Sequence, residues 1–318
     1  MSAPSRPLSR RDVPASGTPT EFARYLAMLE SSWTHLACKP DETAAATLQA
    51  LWLAAAGQPC SVERALERPL PLLGADERGM LWRLIERRRA GVPLAHLTGR
   101  QSFMGVELLA LPKALIPRRE TELLGAAALD VVRRAVADRG RALVIDLCTG
   151  SGNLALALAH HEPGCTVVGG DLSAEALELA RRNAEHTGLA DRVRFVEGDL
   201  YAPFDTPEFR GAVDVIVCNP PYVPSSRVAG MPSEIAEHEP RVAFDGGVFG
   251  LSVLINLVAG APRFLKPGSW LCFEVGAGQG EPMAARVERG GGYAIAERIL
   301  DAAGRVRALV ARTRNRAE

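Results

Sequence analysis

The chain has 318 residues, of which 47% are hydrophobic and 23% are charged, as in ordinary globular proteins. Its 37 basic and 37 acidic side chains cancel, which excludes a general electrostatic attraction to nucleic acid or to an anionic membrane. No apolar run reaches the roughly 18 residues of a membrane span, and the six scattered cysteines form no CxxC pair, so neither a membrane anchor nor a disulfide or metal site is expected.

The first third of the chain predicts a tail, a helical domain and a hairpin. Residues 1–20 are rich in Ser, Pro and Arg without the apolar segment of a secretory signal, which predicts a disordered tail and a cytoplasmic protein. Residues 21–94 carry apolar side chains at helical spacing and predict a helical domain. Short β-prone runs broken by Gly105 and Pro112 predict a β-hairpin linker over residues 95–118.

The remaining residues, 119–318, alternate short apolar strands with helices. A helix is expected over about residues 120–137, followed by βαβ units, a helix near residues 251–264, a strand, a helix from Glu281 and two short final strands. This alternation is typical of an α/β fold with a mostly parallel sheet that helices cover on both faces.

A candidate nucleotide site follows the first of these strands. Asp146 ends the strand, and the turn Thr149, Gly150, Ser151, Gly152 opens the next helix. Such a turn lets a ligand approach the backbone closely, although it can also be a plain strand-to-helix connection. Asp171 ends the following strand, where a carboxylate can accept both ribose hydroxyls. Because Asn153, Leu154 and Ala155 follow in place of a third glycine, an adenosine ligand is favoured over a dinucleotide.

The pattern D-x-x-x-G-x-G resembles the first motif of the S-adenosylmethionine-dependent methyltransferases, a Rossmann-like fold. The resemblance implies S-adenosylmethionine as cofactor, with its methionine portion held by the turn from Cys148 to Gly152. Asp171 would then contact the ribose, and Asp199 the adenine amino group. The other cofactor-binding residues expected are Asp146, Leu172, Leu200 and Asn219. Asp199 could instead be a turn or helix-capping residue.

The acceptor site is predicted at Asn219, Pro220, Pro221 and Tyr222, directly after an apolar strand. The prolines stiffen the turn and remove two backbone donors. The Asn219 side-chain oxygen and the Pro220 carbonyl can each accept one hydrogen of a planar NH2 group, and Tyr222 can cover its flat face. An ordinary Pro-rich turn is the alternative.

Together with the segments around it, NPPY resembles the HemK/PrmC family, which methylates the glutamine amide in the GGQ motif of peptide chain release factors. The upstream part of the resemblance is PLAHLTG, a Phe, IPR and TE; the downstream part is EIAEHEPRVAFDGG. The resemblance extends from about Glu77 to Arg312. It implies that Asn219 to Tyr222 bind the amide and that residues 21–94 dock the protein substrate. The substrate-pocket residues implied in this way are Phe103, Arg118, Glu239 and Arg241.

Several positions depart from the family pattern. Cys148 replaces a Gly, Arg119 a Pro and Phe249 an Asp, and Leu200 stands where a larger side chain is common. Arg119 and Phe249 are expected to alter the rim of the pocket. Three functions therefore stay open beside the favoured one: N-methylation of a small amide, guanidine or peptide, N-methylation of an exocyclic amine in a nucleic acid, and cofactor binding without catalysis.

Overall fold

The computed structural model of the chain describes residues 18–31 and 39–314. Most of the predicted tail, residues 1–17, lies outside the described residues. Residues 18–20 belong to the first helix, because Pro19 in its first turn has a suitable φ and needs no amide donor there. The chain divides into two compact units, Met1–Gly99 and Arg100–Glu318.

The first unit is helical, as predicted. Its buried side chains include Tyr25, Trp52 and Leu81, and the indole of Trp52 donates a hydrogen bond of 2.8 Å to the Pro71 carbonyl. The unit extends past the predicted end at residue 94, since Leu94 and Leu97 pack into the same core. The helices are α1 (Thr18–Glu30), α2 (Ala44–Ala55), α3 (Val62–Leu66), α4 (Ala75–Arg89) and α5 (Leu94–Thr98).

The predicted hairpin consists of β1 (Arg100–Phe103) and β2 (Val106–Leu109), which pair in an antiparallel register. It is an integral part of the second unit and not only a linker. Alternation places Phe103, Val106 and Leu108 in the core of that unit. The Leu109 amide also donates to the Asn183 side chain at 2.7 Å, which fixes the hairpin to a helix of this unit.

The rest of the second unit is the predicted α/β fold, which is confirmed. Its sheet has the strand order β5-β4-β3-β6-β7-β9-β8, parallel from β5 to β7 and antiparallel at β9 and β8. The strands are β3 (Ala142–Leu147), β4 (Cys165–Asp171), β5 (Val193–Glu197), β6 (Val213–Cys218), β7 (Leu265–Glu274), β8 (Tyr293–Leu300) and β9 (Val306–Thr313).

Helices cover both faces of this sheet. Along β3, Val144 packs into one apolar cluster and Ile145 into another, which is why the central strand is apolar almost throughout. Short helices in the segment after β6 were not predicted. The helices are α6 (Thr121–Arg139), α7 (Asn153–His161), α8 (Ala174–His186), α9 (Ser225–Val228), α10 (Ser233–Ala236), α11 (Ser252–Gly260) and α12 (Gly280–Arg289).

The strand order determines where a ligand can bind. The chain leaves β3 toward β4 on one side, while β6 pairs with β3 on the other side. The connections that follow β3 and β6 therefore diverge and leave a crevice at the carboxyl end of the sheet. Both predicted sites, at residues 146–152 and 219–222, lie at this end.

Candidate active site

A cavity of about 230 Å³ occupies the crevice at the carboxyl ends of β3, β4, β5 and β6. It brings the two predicted sites together in one space. The predicted residues that line it are Arg118, Cys148, Thr149, Gly150, Ser151, Asp171, Leu172, Asp199, Leu200, Asn219 and Pro221.

The turn between β3 and α7 has an unusual backbone. Cys148, Gly150 and Gly152 all have positive φ angles, of 56°, 55° and 82°. Glycine adopts this left-handed conformation freely, whereas a residue with a Cβ atom is disfavoured there by about 1 kcal/mol. This explains why the family pattern has glycine where this chain has Cys148.

Asp146 does not line the cavity, but it holds the turn through hydrogen bonds. Its Oδ2 atom accepts a hydrogen bond of 2.6 Å from the Thr149 hydroxyl and one of 3.1 Å from the Ala155 amide. Burial raises the pKa of this carboxyl to about 7, and the bonds from Thr149 and Ala155 oppose the shift. Asp146 thus positions the turn, while its assignment as a direct cofactor contact stays a prediction.

Asp171 lies in the cavity wall and is held by main-chain amides. Its Oδ2 atom accepts from Gly150 at 2.8 Å and its Oδ1 atom from Ser173 at 2.9 Å. Burial raises the pKa of Asp171, and these two amide bonds oppose that shift. Because each carboxylate oxygen has a second lone pair, both can still accept a hydrogen bond from a ligand hydroxyl.

The turn after β5 supplies the next part of the wall. Gly198 and Leu200 have φ angles of 156° and 43°, and Asp199 between them lines the cavity. The Asp199 carbonyl also accepts from the Ala202 amide at 2.9 Å, so the residue has a turn role as well. Asp171 and Asp199 therefore follow two adjacent strands and contact the same cavity.

The NPPY turn presents Asn219 and Pro221 to the cavity, whereas Pro220 is buried behind it. The Asn219 Nδ2 atom donates a hydrogen bond of 3.1 Å to the Thr121 hydroxyl. Tyr222 does not line the cavity, and its hydroxyl donates to Glu274 Oε1 at 2.8 Å. Burial, and next the Glu274 charge, raises the pKa of Tyr222. Its predicted position over the acceptor amide stays a prediction.

Of the four predicted substrate-pocket residues, the structure pairs Arg118 with Glu239 but does not bring all four together. Arg118 lines the cavity and pairs at 2.5 Å with Glu239, whose side chain is buried and also accepts from the Ile116 amide at 2.9 Å. Glu239 thus ties its loop to the segment before α6. Arg241 is exposed and pairs with Asp245 at 2.9 Å. Phe103 is fully buried in the core and is not among the residues that line the cavity.

Neither family departure expected at the rim lines the cavity. Phe249 is 76% exposed, and Arg119 is exposed at the start of α6. Thr121 lines the cavity and Glu274 binds Tyr222 of the NPPY turn, but neither was selected from the sequence. Thr121 lies inside the IPRRETE segment, so that segment was the available signal; Glu274 has no comparable one.

Two further properties concern the described part of the chain. None of its helices combines the length and the apolarity needed to cross a bilayer. Within residues 18–31 and 39–314, no group of at least three His, Cys, Asp or Glu side chains could hold a metal ion.

The sequence of the chain is similar to a known protein family and to several proteins of known name. The family described as "Methyltransferase domain" matches residues 144–238. Release factor glutamine methyltransferase of Moorella thermoacetica is 39% identical over 259 residues, which cover 80% of this chain and 88% of that protein. The protein of the same name from Deinococcus radiodurans is 42% identical over 219 residues, which cover 69% of this chain and 74% of that one.

Proposed function

The chain belongs to the release factor glutamine methyltransferase family, and we propose that it methylates the side-chain amide of the GGQ glutamine in peptide chain release factors. The predicted resemblance to this family is thereby confirmed. The observation that carries the proposal is that Asp171 and Asn219, the centres of the two predicted sites, line the same cavity.

The residues at the β3, β4 and β5 ends of the cavity fit S-adenosylmethionine, the cofactor of this reaction. Asp171 and Asp199 offer carboxylate oxygens to ribose hydroxyls and to an amino group. The turn from Cys148 to Gly152 offers backbone without bulky side chains, and Gly150 and Ser151 line the cavity there. When bound, the cofactor supplies an electrophilic methyl group on its sulfonium.

Asn219 orients the acceptor amide. Its Nδ2 atom is engaged by Thr121, while among the described residues none donates to its Oδ1 atom. Oδ1 can therefore accept one hydrogen of the glutamine NH2 group, and the Pro220 carbonyl is proposed to accept the other. Holding both hydrogens aligns the nitrogen and disperses the positive charge that develops as the new bond forms. Orientation alone can contribute up to about 7–11 kcal/mol to such a reaction.

A side-by-side assay tests the proposed acceptor. Purified release factor, free glutamine and free arginine are each incubated with the enzyme and isotope-labelled S-adenosylmethionine. We expect labelling of the release factor at its GGQ glutamine and little labelling of free glutamine, because the binding energy of the rest of the protein is missing. Faster labelling of either free amino acid, measured as kcat/KM, would overturn the proposed acceptor.

Mass spectrometry of the labelled release factor locates the methyl group. A release factor with the GGQ glutamine replaced by alanine is the matched control and should remain unlabelled. The docking role of residues 21–94 and the cytoplasmic location stay predictions.

A further inference from the structure

Thr121 is the first residue of α6 and is only 1% exposed. It nevertheless lines the cavity, next to the turn that presents Asn219. Its hydroxyl accepts the side-chain hydrogen bond of Asn219, with 3.1 Å between Oγ1 and Nδ2. A residue from 98 positions upstream thus contacts the centre of the acceptor site.

In the structure, this contact accompanies one orientation of the Asn219 amide, with the nitrogen toward Thr121. An asparagine amide has nearly the same shape after a half turn about its terminal bond, which exchanges the oxygen and the NH2 group. With Nδ2 on Thr121, the oxygen is left for the acceptor. After the exchange, the NH2 group of Asn219 would meet the NH2 group of the substrate, and two donors cannot form a hydrogen bond.

Glu274, on the neighbouring strand β7, holds the same NPPY turn at Tyr222. Cys218 pairs with Phe273, so Asn219 and Glu274 are the next residues on two adjacent strands. Burial raises the pKa of Glu274, and the side chains of Thr121, Tyr222 and Arg307 oppose that shift by stabilising its charged form. Glu274 Oε1 accepts from the Tyr222 hydroxyl, while Thr121 accepts from Asn219, so each of these two side chains holds one residue of the NPPY turn.

We propose that Thr121 is a positioning residue that holds the Asn219 amide with its oxygen toward the acceptor. The inference rests on the proposed function for its role in methylation, but the orientation itself is a property of the protein alone. A valine at this position keeps both branches on Cβ and loses the hydroxyl. A serine keeps the hydroxyl and loses a buried methyl group.

The kinetic test compares Thr121→Val with Thr121→Ser. For Thr121→Val we expect kcat on the release factor to fall roughly 5- to 20-fold, with the cofactor Kd within about twofold and the acceptor KM little changed, as for the loss of one orienting hydrogen bond. Thr121→Ser should keep kcat within about twofold of the original protein. A purely structural role predicts the reverse order, because valine preserves packing that serine does not, and that result would overturn the proposal.

A second measurement does not depend on any substrate. The chain has five asparagines, so selective ¹⁵N labelling gives few side-chain amide signals, and Asn219→Ala assigns the one of interest. We expect one Asn219 amide proton to exchange slowly with solvent in the original protein and in Thr121→Ser, and rapidly in Thr121→Val.

The kinetic and the amide-exchange measurements distinguish a failure of this inference from a failure of the proposed function. Equal exchange in Thr121→Val and the original protein would overturn the inference, even if the release factor is methylated. Absence of release factor labelling by the original protein would overturn the proposed function, while the exchange data would still decide the orientation of Asn219.

Discussion

The half of the cavity proposed to hold the cofactor and the half proposed to hold the acceptor are held in place by different means. In the proposed cofactor half, main-chain amides bind carboxylates: Gly150 donates to the partly buried Asp171, and Ala155 donates to the buried Asp146, which supports the wall. In the acceptor half, side chains from distant segments bind each other, as Asn219 binds Thr121 and Tyr222 binds Glu274.

The two halves should therefore be sensitive to different kinds of substitution. The cofactor half depends on backbone shape, so substitutions that add a Cβ atom or remove a carboxylate should damage it. The acceptor half depends on individual side-chain atoms that can be removed without changing the backbone. Substitutions there should lower turnover more than they lower stability or cofactor binding.

The largest effect is expected from Asn219→Ala. It removes the proposed acceptor for the substrate amide, so turnover should fall about 10²- to 10³-fold, while cofactor affinity changes by less than about tenfold. Methyl transfer to the release factor and calorimetry with the cofactor measure the two quantities. Asn256→Ala, at an exposed position of α11, is the matched control. A loss of cofactor affinity as large as the loss of turnover would show that Asn219 serves the cofactor as much as the acceptor.

Gly152→Ala tests the backbone of the cofactor half. The new Cβ would lie 3.0 Å from the Phe195 ring at a φ of 82°, so we expect the free energy of unfolding to fall by about 2–3 kcal/mol. Gly150→Ala also has a positive φ, yet its Cβ would meet nothing within 4 Å, so about 1–2 kcal/mol is expected. Denaturant unfolding measures both. Equal losses would show that crowding against Phe195 is unimportant.

Asp171→Ala tests the carboxylate of the cofactor half. It should weaken S-adenosylmethionine binding by about 1.5–3 kcal/mol, since hydrogen bonds to a charged group are lost and the Gly150 amide loses its partner. Calorimetry measures the change, and Asp205→Ala, outside the cavity, should leave the affinity unaltered. Unchanged affinity in Asp171→Ala would remove Asp171 from the cofactor site.

A pH dependence is expected at Asp146, which supports the turn of the proposed cofactor half. Burial raises its pKa from 3.8 to about 7, so between these values the folded state binds more protons than the unfolded state. This group therefore makes the protein less stable as pH rises from about 4 to 7. Asp146→Asn keeps an oxygen for Thr149 and Ala155 but does not titrate. Relative to the original protein, the variant should gain stability between pH 5 and pH 7.5.

Urea unfolding at both pH values measures that difference, and Asp205→Asn is its control. The pKa of Asp205 is lowered, first by the hydrogen bond from Arg210, so its contribution changes only below its ordinary pKa of 3.8. The stability difference for Asp205→Asn should therefore be constant from pH 5 to pH 7.5. A constant difference for Asp146→Asn as well would mean that Asp146 is charged throughout this range.

Local patterns were sufficient for the α/β fold and for the residues at strand ends. Strand and helix periodicities are short-range features, so α6 and α12 begin within a few residues of their predicted positions. Asp171 and Asn219 were predicted from their places at the ends of apolar strands. They line one cavity because the carboxyl ends of parallel strands share one edge of the sheet. The short helices α9 and α10 have four residues each and too little periodicity to be predicted.

The sequence by itself determined the family, the sheet and the two motifs, because each is written in consecutive residues. Only the tertiary structure decided which side chains line the cavity and which ones support the two motifs from outside it. Phe103 is in the core, Glu239 holds the segment before α6, and Tyr222 faces Glu274 instead of the cavity. Such contacts join residues up to 123 positions apart, and their formation depends on packing geometry that no local pattern encodes.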